Sequence, residues 1–217
     1  MIFSTIYRPT ALFSLRDSNS TSSGAKSLFL PSPYAIKMAF LSQAISIGGI
    51  DFENHTDLFN IIRDAKISYH ISGNFCINNC FVKIQKQRDK EPFKSTVCFR
   101  EYMYLDGDLE LIFDVDSSED VAFLKKYLHT INYFGKRGCF FQFIEYKDIP
   151  SKSNVVSFNS KTDTTGIIQE FDDFDHSLSF EKVNNYSKLK TVRKKRLLIM
   201  PLSKIRSSKS YTYFRVM

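Results

Sequence analysis

Two glycines flank two cations in Gly135-Lys136-Arg137-Gly138, and this spacing suits the binding of phosphate. Glycine allows the backbone of a ligand to approach closely, and the exposed N–H groups can act on an anion together with Lys and Arg side chains. The same four residue types also occur in ordinary solvated turns, so the motif alone has weak specificity. We interpret Gly135, Lys136, Arg137 and Gly138 as candidate contacts to a nucleic-acid backbone.

A second candidate places a cation beside aromatic rings on a predicted strand. Arg100, Tyr102 and Tyr104 alternate in TVCFREYMYL and therefore share one strand face. Proteins that bind single-stranded RNA stack bases on such rings next to cations. The alternative is that the tyrosines pack on a neighbouring sheet. Each motif alone is weak, and together they favour RNA as a ligand.

The sequence gives less support to nucleotide binding or to metal binding. The segment GAKS at residues 24–27 lacks the upstream glycine of a phosphate loop. Asp114, Asp116 and Glu119 begin like a calcium loop but lack its glycine and its terminal glutamate. No second Cys/His pair completes a zinc site, and four cysteines in a chain of this length predict reduced thiols. The sequence predicts no metal and no cofactor.

Acid–base catalysis is left open as an alternative. None of the four histidines neighbours a Ser, Cys or Lys in a recognisable nucleophile arrangement. A metal-independent endoribonuclease needs a base for the 2′-hydroxyl and a cation for the phosphorane. Tyr69-His70 is the pair that could contribute, although a plain strand position is the simpler interpretation.

The positive charge is concentrated near the C-terminus. The formal net charge is +7, and residues 182–217 hold 11 Lys/Arg and no Asp/Glu. Residues 163–181, which come just before them, hold six acids and no Lys/Arg. This asymmetry indicates a polyanionic partner for the tail, with nucleic acid favoured. The alternative is that the acidic and basic stretches neutralise each other in the fold.

The periodicity of apolar residues and the positions of turn residues along the chain predict a mixed α+β protein. Ignoring insertions, residues 1–147 show the order strand, helix, strand, strand, helix, strand, which is the split βαβ, ferredoxin-like plan. The predicted elements are strands over 2–15, 67–71, 81–84 and 139–146, helices after Ser32, over 57–65 and from Ser117 to near Phe134, and a flexible loop over 17–27.

Two further predictions concern the middle of the chain. Asp106-Gly107 between alternating runs is typical of a β-hairpin, which would pair residues 96–105 with residues 108–115. The polar run over 83–94 predicts a solvated loop. Residues 1–150 are interpreted as one domain, and residues 151–217 as an acidic-then-basic, β-rich extension that packs on it.

Three blocks resemble a known family. They are LPSPYAIKMAFLSQAI, FREYMYLDGDLELIFDV and FGKRGCFFQF, and they follow an N-terminal strand with Arg8 and Arg16. In this order they resemble the Cas-five family, the RAMP subunit that caps the 5′ handle of the guide RNA in type I CRISPR interference complexes. The match extends over residues 1–147.

The resemblance implies an RRM-like RAMP fold (βαββαβ) with an inserted thumb, for which residues 83–94 are the candidate. It implies the crRNA 5′ handle, a RAMP backbone subunit and the large subunit as partners, with target DNA near the PAM left open. The implied RNA contacts are Arg8, Arg16, Lys26, Arg100, Tyr102, Gly135, Lys136, Arg137 and Gly138. Family members that cleave precursor RNA have a Lys-His pair. This chain has no Lys-His dipeptide, which favours a non-catalytic subunit.

The location is expected to be cytoplasmic. No apolar run reaches the ~18 residues that a membrane helix needs. The N-terminus MIFSTIYRPTAL lacks the charged-then-apolar layout of a signal peptide.

Overall fold

The structure is a computed structural model that describes residues 1–21, 24–87, 93–159, 164–184, 189 and 191–217. The fold is mixed α+β, as predicted. The helices are α1 (Pro33–Ser46), α2 (Thr56–Asp64), α3 (Ser118–Leu128) and α4 (Phe180–Val183). The strands are β1 (Ile2–Pro9), β2 (Leu15–Arg16), β3 (Gly24–Ala25), β4 (Ser27–Leu28), β5 (Lys66–Ile71), β6 (Asn74–Lys86), β7 (Lys94–Asp106), β8 (Leu109–Asp114), β9 (Phe141–Lys147), β10 (Val156–Ser157), β11 (Ile167–Phe174), β12 (Arg193–Met200), β13 (Leu202–Ser207) and β14 (Tyr211–Val216).

The central sheet has the strand order β5-β8-β1-β9, and each of its neighbouring pairs is antiparallel. Strand β1 is buried on both faces, because even Ser4 and Thr5 are 0% exposed. Helices α1 and α3 pack against each other, and their apolar residues share one core with the sheet. The sheet is therefore the layer on which the remaining elements are assembled.

Helix α1 begins where the sequence predicts, directly after Ser32. The Ser32 side chain accepts a hydrogen bond from the Ala35 N–H at 3.2 Å, and Pro33 occupies the first turn. Beyond the last turn, Gly49 has a φ of +63°, which a glycine adopts without strain. Because α3 packs on one side of α1 and β11 on another, α1 needs apolar residues around most of its circumference.

A long antiparallel ribbon carries the chain away from the central sheet. Strands β5 and β8 pair up to Ile71 opposite Leu109. Beyond a bend, β6 and β7 continue in the same register from Asn74 opposite Asp106 to the distal pairs. We refer to β5–β6 with β7–β8 as the ribbon.

The hairpin predicted at Asp106-Gly107 is wrong. Strand β7 pairs with β6 and β3, whereas β8 pairs with β5 and β1. Gly107 has a φ of +148°, and a Cβ on Gly73 would lie 2.0 Å from the Asp106 carbonyl oxygen. The two glycines thus let the two strands of the ribbon cross closely at a bend, so the Asp-Gly signal marks a corner and not a reversal.

The loop predicted over residues 83–94 is also wrong at both ends. Residues 83–86 belong to β6 and Lys94 begins β7, which makes this region the far end of the ribbon. The centre of the predicted loop, at residues 88–92, lies outside the described residues. The β-strand character arises because each strand supplies the hydrogen-bonding partner that the other needs.

The predicted flexible loop over 17–27 and the predicted end of the third helix need correction. Residues 24–25 form β3, which pairs with β7, and residues 27–28 form β4, which pairs with β2. Residues 22–23 lie outside the described residues. Helix α3 begins with the predicted Ser117 cap, which forms a reciprocal capping box with Asp120, but it ends at Leu128.

The C-terminal part supplies strands to two further sheets. Strand β14 pairs with β6, so the second sheet has the order β13-β14-β6-β7-β3, and we refer to it as the ribbon sheet. Its inner face packs into the core, where Phe29 contacts both Phe75 and Phe214 at 5.2 Å between ring centroids. A third sheet, β10-β12-β11, pairs the acidic stretch with the basic one.

Among the described helices, none is long and apolar enough to cross a membrane. The four cysteines are free thiols, with Cys98 and Cys139 buried and Cys76 and Cys80 half-buried.

Candidate nucleic-acid interface

The glycine loop, residues 135–138, connects α3 to β9 and is exposed. Gly135 and Gly138 have φ values of +72° and +101°, so both positions favour glycine. Buried residues Phe134 and Cys139 hold its ends, and the N–H of Phe134 donates to the Cys139 carbonyl at 3.2 Å. Burial raises the pKa of the Cys139 thiol, so this cysteine acts as an apolar anchor.

Lys136 and Arg137 project from this loop as exposed residues. Neither side chain has a hydrogen bond or an ion pair with any described residue. Two cations without a carboxylate partner, on a turn that leaves backbone N–H groups accessible, are available to an external anion.

Residues 13–28 connect the glycine loop to the ribbon sheet. On one side, the Cys139 thiol donates to the Ser14 carbonyl at 3.3 Å. On the other side, Phe13 forms a bridge with Met103, and the Ser27 N–H donates to Glu101 Oε2 at 2.9 Å. The glycine loop and the ribbon therefore lie on either side of one short segment.

Three of the predicted contacts lie on or beside that segment. Arg16 is exposed at the end of β2 and donates to the Ser20 carbonyl at 3.0 Å. Lys26 is exposed between β3 and β4. Arg100 is half-buried on β7, where its backbone pairs with Ala25 in β3. The pairing of β2 with β4 and of β3 with β7 thus connects Arg16, Lys26 and Arg100.

Arg16 also lines a cavity of about 400 Å³ beneath the same segment. Tyr34 and Arg193 form part of its wall, and the Arg193 guanidinium lies 4.2 Å from the centre of the Tyr34 ring. Asp172 accepts hydrogen bonds from Arg193 and from Ser18, so polar groups of this wall already bind one another.

Arg8 has a partner within the protein. Its guanidinium donates to both carboxylate oxygens of Asp108, at 2.7 and 2.9 Å. This hydrogen bonding lowers the pKa of Asp108 below its usual value. A phosphate would have to compete with Asp108, so Arg8 is less available than Lys136 and Arg137, and its role as an RNA contact stays a prediction.

The Tyr69-His70 pair does not form an exposed catalytic site. Tyr69 is 1% exposed and its hydroxyl donates to the Pro31 carbonyl at 2.8 Å. Burial raises the pKa of Tyr69 well above its usual value. The neighbouring His70 lies on the opposite strand face, with Nδ1 2.8 Å from the Lys152 carbonyl. The pair therefore has the plain strand positions that were the simpler interpretation.

The acidic and basic stretches neutralise each other in part, as in the alternative interpretation of the tail. In the β11–β12 pair, Asp172 binds Arg193 at 2.9 Å and Lys195 at 2.7 Å, and Asp173 binds Arg196 at 3.2 Å. The side chains of β13 and β14 differ from these. The exposed cations of these two strands and of the turn between them have no ion pair within the described part of the chain; they are Lys204, Arg206, Lys209 and Arg215.

Sequence reasoning missed the neighbours that β14 brings to the ribbon. Tyr211 is opposite Asn78, and Tyr213 is opposite Cys76, on the far side of β6 from Tyr102 and Tyr104. The alternation in YTYFRV was a usable signal for a strand, but nothing local indicates which strand it joins.

Metal binding has no visible support in the described residues. No group of three or more His, Cys, Asp or Glu side chains there could hold a metal ion. Asp114 and Asp116, considered above for calcium, line a cleft beside α2 and the start of α3.

The fold and the exposed basic loop define a mixed α+β protein with a surface open to an anion. Comparison with known proteins then shows what the chain is similar to. A CRISPR-associated protein Cas5 from Archaeoglobus fulgidus is 29% identical over 195 residues, which make up 84% of this chain and 83% of that protein. The resemblance to the Cas-five family that the sequence predicts is confirmed by this similarity.

No known protein-family model matches the chain. A solved structure described as a CRISPR protein from Archaeoglobus fulgidus covers 100% of this chain and 92% of its own, with a TM-score of 0.48 and 14% identity.

Proposed function

We propose that the protein is a non-catalytic, RNA-binding subunit of a CRISPR interference complex that holds the 5′ handle of the crRNA. The observation that carries the proposal is the exposed glycine loop, whose Lys136 and Arg137 have no described partner, beside the ribbon. The Cas5 relationship supports a CRISPR-associated role. The RNA-binding role and the surface assigned to it are the proposal.

The fold supports a RAMP-type assignment. The central sheet has four strands, and we number them 1 to 4 in the order in which they occur along the chain: β1, β5, β8 and β9. Their spatial order is then 2-3-1-4, with α1 after the first strand and α3 after the third. This order agrees with the split βαβ, ferredoxin-like plan. The far part of the ribbon is then the insertion between strands 2 and 3, and we assign it as the thumb.

The proposed mechanism follows from the positions of the positively charged side chains and of the aromatic rings. Lys136, Arg137 and the exposed loop N–H groups neutralise phosphates, which supplies affinity without reading sequence. Tyr102 on the ribbon contacts an unstacked base. The thumb lies over the RNA, while a RAMP backbone subunit and the large subunit contact other surfaces. Target DNA near the PAM is a further candidate partner.

The test is a double substitution in the glycine loop. Lys136→Ala with Arg137→Ala should weaken binding of a fluorescein-labelled RNA with the repeat-derived 5′ sequence by at least about tenfold, measured by anisotropy on the full chain. The slope of log affinity against log salt should fall by about 1.4, because each phosphate contact to a single strand contributes about 0.7.

A matched control removes two exposed cations from the opposite edge of the central sheet. Lys66→Ala with Lys152→Ala changes the net charge equally, and Lys66 is 79% exposed. This control should leave the affinity and the salt slope close to those of the unmodified protein. Normal affinity and slope in the glycine-loop variant would show that the site is elsewhere.

The enzyme alternative is a metal-independent endoribonuclease that processes precursor crRNA. Buried Tyr69 gives it little support, since its hydroxyl already donates to a backbone carbonyl. Incubation of the purified chain with repeat RNA in EDTA separates the two functions. Intact RNA is expected, and discrete cleavage that persists in EDTA would favour the enzyme.

A further inference from the structure

The outer face of the ribbon sheet carries two rows of aromatic side chains. Tyr213, Cys76 and Tyr104 are paired across β14, β6 and β7, and Tyr211, Asn78 and Tyr102 form the next row. Residues that are paired across strands share a sheet face. We call the surface formed by Tyr102, Tyr104, Tyr211 and Tyr213 the tyrosine face.

Burial shows that this face points away from the core. Residues next to the tyrosines along the strands are buried: Met103, between Tyr102 and Tyr104, is 0% exposed, and Phe214, after Tyr213, is 7% exposed. Phe75, which pairs with Phe214, is 0% exposed. Successive side chains of a strand point to opposite faces, so the tyrosines point outward.

The four tyrosines are available to a ligand. Tyr104 is 50% exposed and the other three are half-buried. None of the four side chains has a hydrogen bond, a ring contact or a cation–π contact with another described residue. Strand spacing puts the two rows about 7 Å apart and the two tyrosines of one row about 10 Å apart.

The charges around this face suit a polyanion. Arg215 follows Tyr213 on the same side of β14, and Arg206 is opposite Tyr213 on β13; both are exposed. Arg100 comes next to Tyr102 on the same side of β7. The three strand stretches that build the face, residues 76–80, 102–104 and 211–215, contain no Asp or Glu.

We propose that the tyrosine face binds unpaired nucleotides of single-stranded RNA, with bases stacked on the tyrosines and phosphates near the arginines. Asn78, between the rows, offers an amide donor and acceptor to a base edge. The proposal rests on the proposed function for RNA as the ligand, and it adds a second contact surface, partly built by the C-terminal strand, beyond the glycine loop.

The composition favours RNA over a docked protein. The positions of β6 between the tyrosines are Cys76 and Asn78, which are small or polar. A protein interface of this size would be expected to bury large apolar side chains at its centre. Separated rings with a polar strip between them are better suited to individual bases.

The first experiment uses the unmodified chain. Cys76 lies in the row with Tyr104 and Tyr213, so bound RNA should slow its alkylation by iodoacetamide. Alkylation is measured by mass spectrometry, with the buried Cys139 as internal reference. The chain has no Trp, so quenching of tyrosine emission by an oligouridine reports stacking directly. Unchanged alkylation and emission at saturating oligouridine would overturn the proposal.

The second experiment separates stacking from folding. Tyr211→Ala with Tyr213→Ala should weaken oligouridine binding at least about fivefold, since stacking of one base on an aromatic ring contributes that much or more. Tyr211→Phe with Tyr213→Phe retains both rings and should bind within about twofold of the unmodified chain. Equal thermal midpoints of the two variants exclude unfolding as the cause, and equal affinities contradict the proposal.

Comparison with the glycine-loop variant distinguishes the two proposals. Loss of RNA binding in Lys136→Ala with Arg137→Ala, but not in the tyrosine-to-alanine variant, overturns the tyrosine face and leaves the proposed function standing. Loss in the tyrosine variant alone supports the face and rejects the glycine loop. If neither variant changes RNA binding, both proposals fail, and protection of Cys76 only in an assembled complex would then indicate a protein contact.

Discussion

Lys37 on α1 carries a buried charge that is paired with Asp173, an acidic residue of the C-terminal part. Its side chain is 4% exposed, and its ammonium group lies 2.8 Å from Asp173 and 2.7 Å from the Arg63 carbonyl oxygen. Burial lowers the pKa of Lys37, while Asp173 opposes that shift. Asp173 therefore compensates a buried charge on α1, in addition to its contact with Arg196.

Removal of Asp173 should be costly. Asp173→Ala leaves the Lys37 ammonium buried without a carboxylate, and we expect a loss of about 3–5 kcal/mol in the free energy of unfolding, measured by urea denaturation. The neighbouring Asp172→Ala is the matched control. Arg193 and Lys195 are 42% and 41% exposed, so they regain water, and the loss should be about 1 kcal/mol. Equal losses of unfolding free energy in the two variants would contradict this role of Asp173.

Asp172 makes a pH-dependent contribution of its own. Burial alone would raise its pKa, but hydrogen bonds from Lys195 and Arg193 outweigh burial, and the pKa is lowered. The stabilisation from a lowered carboxylate pKa is complete above the unfolded value of about 3.9 and is lost as the pH falls through the folded pKa. The difference in thermal midpoint between the unmodified chain and Asp172→Asn should therefore be constant from pH 7 to about pH 5 and shrink below about pH 4. A difference that persists unchanged in acid would rule this out.

At the scale of elements, the ribbon is the feature that organises the molecule. One antiparallel pair contributes β5 and β8 to the central sheet and β6 and β7 to the ribbon sheet, without a change of register. The bend between the two sheets lies at Gly73 and Gly107. The direction of the ribbon, and hence the position of the proposed thumb, depends on that bend.

The bend should not tolerate a side chain at Gly73. A Cβ there would lie 2.0 Å from the Asp106 carbonyl oxygen, which belongs to the backbone and cannot rotate away. We expect Gly73→Ala to lower the free energy of unfolding by about 2–3 kcal/mol, by denaturant titration. Gly49→Ala is the control, because nothing lies within 4 Å of its Cβ and only the positive φ costs energy, about 1 kcal/mol. A smaller effect at Gly73 than at Gly49 would mean that the bend adapts.

At the scale of the whole molecule, the C-terminal strands are part of the common core. Leu198, Met200, Leu202 and Phe214 belong to the same buried cluster as the residues of the central sheet. Strand β14 completes the ribbon sheet by pairing with β6. Deletion of the basic tail would therefore test folding before it tested nucleic-acid binding, and charge substitutions are the better tool.

Truncation of Phe214 should measure this contribution. Phe214→Ala removes a ring packed against Phe29 and should lower the free energy of unfolding by about 3–5 kcal/mol. Ile205→Ala, at a 50% exposed position of β13, should change it by less than about 0.5 kcal/mol. A cooperative fold of unchanged stability in Phe214→Ala would show that the C-terminal strands are dispensable.

The amino-acid sequence by itself determined the features that depend on neighbouring residues. The Ser32 and Ser117 caps start helices because each side chain satisfies an N–H three residues on. Alternation identified β5, and paired glycines identified the exposed 135–138 loop, because sterics and local hydrogen bonds act over a few residues. The three sequence blocks also sufficed to indicate the similarity to Cas5 proteins.

Only the tertiary structure decided which segments lie side by side. Asp106-Gly107 carries the local chemistry of a hairpin, yet β7 gains more partners from β6 and β3 than it could from β8. The ion pairs of Asp172 and Asp173, and the alignment of Tyr211 and Tyr213 with the ribbon, join residues far apart in the chain. Such pairings are selected by the burial of a shared core, and local sequence carries no record of that competition.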